Sequence, residues 1–427
     1  MKQTVEAYQD AGSTDPDWDG PAKRALTEFA RYRGHAIDDG EPVFDIIVTN
    51  CEAAVQARCD DPLVRYLQLR FGPGSDTNPQ QYSDACNVVE SNMQKSGYST
   101  VRKFYSADWA IQQFYRAYYK NGNQQVLGKL FADEDTNLMA SIDDPATPPG
   151  EVYDVCHEAL HNLSGGEKQY DACSRQIEKK LAENWPGDPV VYLLEGEIYI
   201  QRAWFARGNG YANTVTSTGW KTFGKDLAKA EKYLNQAWDL DTNNPDIAVQ
   251  MLTVELGQGG GRDLMELWFD RAMQADPDCY DACSSKLYFL EPKWYGSTGD
   301  MLEFGHECIE NTNWGGAVPL ILVDAHYSIW NQYTDADTKS NYWTQPEVWA
   351  DVNSAYQRYF QLNPTDTYHI PYYAWYAYQA QAWSKFNELI PKLGPANYNF
   401  FGGEAEFAKM VQKARGHTNQ PADALSP

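Results

Sequence analysis

The chain has 427 residues, with 35 Lys and Arg against 59 Asp and Glu, a formal net charge of −24. Such an acidic surface repels a phosphate backbone, which argues against nucleic-acid binding, and no run approaches the roughly 20 apolar residues of a membrane helix. At 43% hydrophobic and 14% aromatic, with 14 Trp and 29 Tyr, the composition is that of a chain with a packed core.

Residues 1–20 read as a polar segment with no apolar run after Lys2, so no signal peptide is visible. Acidity, abundant Tyr, Trp, Asn and Gln, and few Lys nevertheless suit an exported protein, periplasmic or extracellular. Met1 is then expected to be an added start on a trimmed chain. Residues 21–150 read as irregular helical hairpins, broken at Gly72-Pro73-Gly74 and Pro148-Pro149-Gly150. Within them Asp133-Glu134-Asp135-Thr136-Asn137 begins like a calcium loop. Leu138 stands where the turn glycine belongs, and Asp144 takes the twelfth place instead of Glu. The plainer expectation is a solvated acidic loop.

From 151 to 395 the periodicity is helical almost throughout. Val152, Cys156, Ala159, Leu160 and Leu163 make one stripe; Leu227, Ala230, Leu234 and Ala237 a second; Met265, Phe269 and Ala272 a third. Alternating β-branched runs are missing, so the fold class is all-α. Glycines at 257, 259, 260 and 261 read as the turn inside one hairpin, lacking the Lys-Ser/Thr of a phosphate loop. Helix stops recur at Pro186, Thr242, Pro277 and Pro364, with a degenerate one expected around Asn313; 35 residues separate Thr242 from Pro277. Extra segments are expected near 207–222 and 331–344. A C-terminal segment and polar tail occupy 396–427.

That step, with Leu234 and Ala237, Phe269 and Ala272, and Tyr356 and Tyr359 before the stops, resembles the tetratricopeptide-like repeats, whose period is roughly 34 residues. The resemblance covers about residues 40–395 and is clearest over 225–278. It implies a superhelix of stacked hairpins, an α-solenoid with a concave face. A narrower resemblance rests on Trp204-Phe205-Ala206-Arg207-Gly208-Asn209-Gly210 with Gly219-Trp220, and on Pro292-Lys293-Trp294-Tyr295-Gly296-Ser297. These look like the marks of a bacterial domain family of unknown function, which usually has Gly where this chain has Tyr295. It implies a bacterial origin and the repeat fold, and no activity.

The eight cysteines form no CxxC pair, so the usual zinc-ribbon and redox signatures are missing. Cys156 and Cys173 flank the break at Ser164-Gly165-Gly166, and Cys283 and Cys308 flank that at Tyr295-Gly296-Ser297. Each pair sits at similar distances from its turn, and with Cys59 and Cys86 they are the candidates for disulfides. The alternative is buried thiols packing as small hydrophobes.

His157-Glu158-Ala159-Leu160-His161 is a literal HExxH string, in which His157 and His161 share a helix face and could bind zinc, with Glu158 as base. Ser164 and Glu167 stand where the extended form needs Gly and His. Glu178, Glu183 and Glu195 are the remaining third ligands. The plainer reading makes both histidines boundary residues of a repeat helix. No metal, cofactor or catalytic residue is therefore expected.

Six aromatics crowd between Tyr368 and Tyr378, more than one helix face can bury. The expected role is binding or scaffolding, not catalysis. A protein or peptide partner would meet the concave face and the Gly208–Trp220 loop, with Trp204, Arg207, Asn209, Trp220, Trp294, Tyr372, Trp375 and Tyr376 as candidate contacts. Arg207 in a frame of Trp204 and Trp220 suits a carboxylate. Three alternatives stay open: self-assembly with a second copy of the chain, carbohydrate binding on exposed Trp and Tyr, and zinc hydrolysis.

Overall fold

The chain is seen in a computed structural model that describes residues 2–33, 43–72, 78–118, 121–393 and 395–418. Among these residues every regular element is helical, as the periodicity predicts. Two compact units divide at Asp241/Thr242, inside the section read as repeats.

The first unit holds α1 (Lys2–Ala11), α2 (Asp19–Arg33), α3 (Val43–Gln56), α4 (Pro62–Phe71), α5 (Pro79–Lys95) and α6 (Thr100–Tyr118). It continues with α7 (Gln124–Asp143), α8 (Pro149–Asn162), α9 (Glu167–Asn184), α10 (Pro189–Arg207) and α11 (Ser217–Leu240). The second holds α12 (Pro245–Gln258), α13 (Arg262–Ala275), α14 (Tyr280–Phe289), α15 (Thr298–Glu310) and α16 (Ile321–Gln332). It ends with α17 (Ala336–Asn341), α18 (Pro346–Leu362), α19 (Ile370–Gln379), α20 (Trp383–Leu389) and α21 (Glu404–Thr418).

The punctuation of these helices follows from local chemistry. Four of them open on Asp or Asn followed by Pro: Asp61-Pro62, Asn78-Pro79, Asp188-Pro189 and Asn244-Pro245. The cap side chain accepts a backbone N–H of the first turn, and the proline presets φ where no helical N–H bond is needed. At the other end, the glycine run after α12 supplies left-handed backbone at Gly259 (φ +74°) and Gly261 (φ +86°), which turns the chain into α13. The turn expected at Gly72-Pro73-Gly74 lies, beyond Gly72, outside the described residues.

Within each unit a helix packs on its sequence neighbour and on the helix two along. Thus α5, α6 and α7 stack in succession while α4 touches α6 and α8 touches α10; in the second unit α12 touches α13 and α14, and α16 touches α18. This is the solenoid pattern of stacked hairpins. The degenerate stop expected around Asn313 falls just after α15, whose C-cap is Asn311. The predicted stripes are the buried ones: Val152 and Cys156, then Leu227, Ala230, Leu234 and Ala237, then Met265, Phe269 and Ala272. The Val, Leu, Met and Phe side chains among them each contribute about 1.5–3 kcal/mol when fully buried. Gly196 of α10 lets α11 approach closely, since a Cβ there would stand 2.5 Å from Leu234 Cδ2.

The polar segment 1–20 belongs to the first unit, where α1 buries Tyr8, which donates to Asp19 Oδ1 (2.9 Å). One expectation is corrected. Asp133 to Asn137 is no loop, calcium-binding or solvated, but lies in the middle of α7. Asp133 pairs with Lys129 one turn earlier (2.6 Å), and Asn137 back-bonds to the Asp133 carbonyl. No disulfide is seen among the eight cysteines. Cys156 and Cys173 do lie close, and Cys308 is hydrogen-bonded to Cys283, which itself contacts Met273 Sδ at 3.7 Å. Cys59 instead neighbours Cys51 in the N-terminal core, while Cys86 packs in another cluster with Tyr82 and Ile111. Burial, acting as the dominant cause, pushes Cys51, Cys86, Cys173 and Cys279 up to about 12, so they behave as small hydrophobes.

Candidate functional site

α10 runs to Arg207 and is ended by Gly208 at φ +73°, whose N–H returns to the Trp204 carbonyl. The loop that follows carries a single 3₁₀ turn at Ala212–Thr214. Thr216 then caps α11 by accepting from Gly219 N–H (3.0 Å). A side chain at 219 would press on the Ala206 carbonyl (2.7 Å), so the loop closes on itself only because a glycine stands there.

Three of the expected contacts come together at the base of this loop. The Arg207 guanidinium lies 5.4 Å from the Trp204 ring centroid and 5.8 Å from that of Trp220. Phe223 meets both indoles edge-on, at 5.2 and 5.7 Å, and holds the frame upright. Arg207 Nη1 donates to the carbonyls of Gly208 (3.0 Å) and Gly210 (3.2 Å), which fixes both the loop and the cation. Trp220 is 40% exposed, Asn209 is exposed, and Tyr211 at the tip is 87% exposed.

Trp294, Tyr372, Trp375 and Tyr376 belong to the second unit. Trp294 meets Tyr288 at 5.9 Å, and Tyr372 meets Phe400 at 4.8 Å. Trp375 and Tyr376 pack together at 5.0 Å, and both are capped by Trp343, which comes from the extra segment between α16 and α18. That segment therefore covers part of the aromatic face of α19, while Tyr372, Trp375 and Tyr376 stay half-buried.

The HExxH string occupies the C-terminal half of α8, as its spacing predicts. The His157 and His161 rings lie nearly parallel, 6.2 Å apart. His157 Nδ1 stands 3.0 Å from Glu197 Oε2, and Tyr153 donates to the other oxygen of Glu197 (2.6 Å). Of the candidate third ligands, Glu178 is engaged by Arg202 in a two-pronged pair at 2.7 and 2.9 Å. No three His, Cys, Asp or Glu side chains among the described residues converge as a metal set.

Glu158 lies instead near Asp108 of α6 and Glu134 of α7. Asn162 and Gln112 donate to the two oxygens of Asp108 at 2.8 and 3.0 Å. Burial, and then the neighbouring carboxylates, push Asp108 up to about 6 and Glu134 up to about 8. Around this cluster Arg70 lies over Trp109 (4.1 Å), and Arg33 pairs with Asp154 (2.5 Å) while facing Tyr105. The convergence is invisible in sequence because its members come from three helices, and the one acidic run among them looks like a loop.

No protein-family model and no curated protein matches the chain.

Proposed function

We propose that the protein is a non-catalytic, tetratricopeptide-like binding protein that docks a carboxylate of a protein or peptide partner on Arg207. The observation that carries this reading is the position of the guanidinium between two indoles, at the foot of a loop whose tip residue is almost fully exposed. Aromatic faces and two carbonyls pre-orient the cation, so little side-chain entropy remains to be lost on binding. Tyr211 and Trp220 add apolar bodies with polar tips, the side chains that dominate binding energy at interfaces. Acidity and aromatic content support export, and the resemblance carried by residues 204–210 and 292–297 supports a bacterial source.

Trp220 also makes the test direct. Peptides ending in a free carboxylate are titrated against intrinsic tryptophan fluorescence, with the amidated peptides as controls. Saturable quenching by the free acids is expected, weakened about tenfold in Arg207→Gln. Equal binding of acid and amide forms, or an unchanged affinity in Arg207→Gln, rejects Arg207 as the anchor. Light scattering across concentrations distinguishes a foreign partner from a second copy of the chain.

A further inference from the structure

The solvent face of α11 carries an unusual arrangement of charge. Phe223, Leu227, Ala230 and Leu234 bury one side of this helix. At about 3.6 residues per turn, Lys221, Lys225, Lys229 and Lys232 fall within roughly 80° of one another on the opposite side. The stripe runs about 16 Å along the helix axis. Lys221, Lys225 and Lys232 are exposed, while Lys229 is half-buried with its Nζ 4.3 Å from the Tyr199 ring centroid. Tyr233 stacks on Tyr199 at 5.7 Å and on Tyr192 at 6.4 Å, so half-buried tyrosines border the stripe along one edge. The acids Asp226 and Glu231 lie on its flanks, and Asp239 stands beyond its end.

Elsewhere in the chain, helical lysines sit one turn from an acid. Lys23 pairs with Asp19, Lys129 with Asp133, Lys385 with Glu388 and Lys409 with Glu406, at 2.6–2.9 Å. On α11 the lysines sit one turn from each other, and the first turn holds no acid. Lys221, Lys225 and Lys232 make no ion pair among the described residues. Like charges a turn apart repel, and cations in the N-terminal half oppose the helix dipole, so the pattern costs helix stability. A local rule broken with no internal contact in return is the mark of a surface shaped for a partner. The net charge of −24 does not cancel it, because at physiological salt charges beyond about 8 Å are largely screened. Lysines about 6 Å apart match carboxylates on every second residue of an extended chain or every fourth of a helix.

We infer that this face of α11 docks an acidic segment of a partner protein. Its Asp and Glu side chains meet Lys221, Lys225, Lys229 and Lys232, and its apolar side chains lie against Tyr199 and Tyr233. Charge complementarity selects the partner, and the tyrosine edge adds contact area. This surface is independent of the Arg207 frame, and either can fail alone.

The probe is a fluorescently labelled peptide of alternating Glu and Ala, blocked at both ends so that it offers no terminal carboxylate to Arg207. Its anisotropy is followed as the full chain is added. Saturable binding is expected, weakening as salt is raised. Lys221→Glu combined with Lys225→Glu should weaken it at least about tenfold, with helical circular dichroism retained. Should that pair fail to fold, Lys221→Ala with Lys225→Ala carries the comparison. Lys168→Glu with Lys179→Glu, at two exposed lysines of α9, makes the same change in net charge and should leave affinity within about twofold. Arg207→Gln should leave it unchanged. No saturation in the wild type overturns the inference, as does an equal loss in the α9 pair. Loss in Arg207→Gln with the α11 pair unaffected also overturns it. So does a thymidine oligonucleotide of equal charge that binds as tightly, since any polyanion would then serve.

Discussion

Glu134 is the residue at which the N-terminal unit works against itself. Its carboxyl, together with that of Asp108, is held above the ordinary carboxylate range by burial and by its acidic neighbours. In the unfolded chain it would titrate near the ordinary glutamate value of 4.5, and in the folded chain at about 8. The folded state therefore holds a proton that the unfolded state releases. Stability associated with that proton is complete below the unfolded value and is lost as pH rises towards about 8. Thermal unfolding is expected at a higher midpoint near pH 5 than near pH 8, and Glu134→Gln should flatten that difference, gaining about 1–3 kcal/mol at the alkaline end. A pH profile of the variant that parallels the wild type would show that the strain lies elsewhere. Composition forewarns of acidity but not of this convergence, because Asp108, Glu134 and Glu158 are spaced at no common period and meet only once α6, α7 and α8 have packed.

Helix pairs were more legible than sites. Stripes at Leu227 to Ala237 and Met265 to Ala272 read directly as buried faces, and the Asn-Pro and Gly-rich boundaries fell where capping chemistry puts them. α7 was misread because five consecutive polar residues look like a loop, although Leu127, Leu130, Leu138 and Ile142 hold that stretch to the core at helical spacing from both sides. Cysteine spacing was legible as proximity, for 156 with 173 and for 283 with 308, but spacing says nothing about oxidation. Close approach between α10 and α11 was likewise hidden, since Gly196 looks like a defect until Leu234 is seen filling the place of its side chain. Gly196→Ala should destabilise the first unit by about 1–3 kcal/mol in denaturant melts despite the better helix propensity of alanine. A neutral or stabilising effect would mean that α11 can slide to make room.

For the whole molecule, thiol chemistry gives a broad check on the packing. All eight cysteines should react with an aromatic disulfide reagent once the chain is unfolded. In the native protein Cys173, the one cysteine that is only partly buried, should react first, and slowly because its thiol is pushed up to about 12. Fewer than eight reactive groups after denaturation would reveal bridges. The stacking of helices on partners one or two places along, with the inserted α17 set aside, also bears on how the protein comes into being. Contacts of that kind close short loops, and short loops cost little entropy. Hairpins near the N-terminus have everything they need to pack before the C-terminal ones have been made. Folding can thus keep pace with synthesis, adding helix to helix as the chain emerges and leaving little apolar surface waiting for a distant partner.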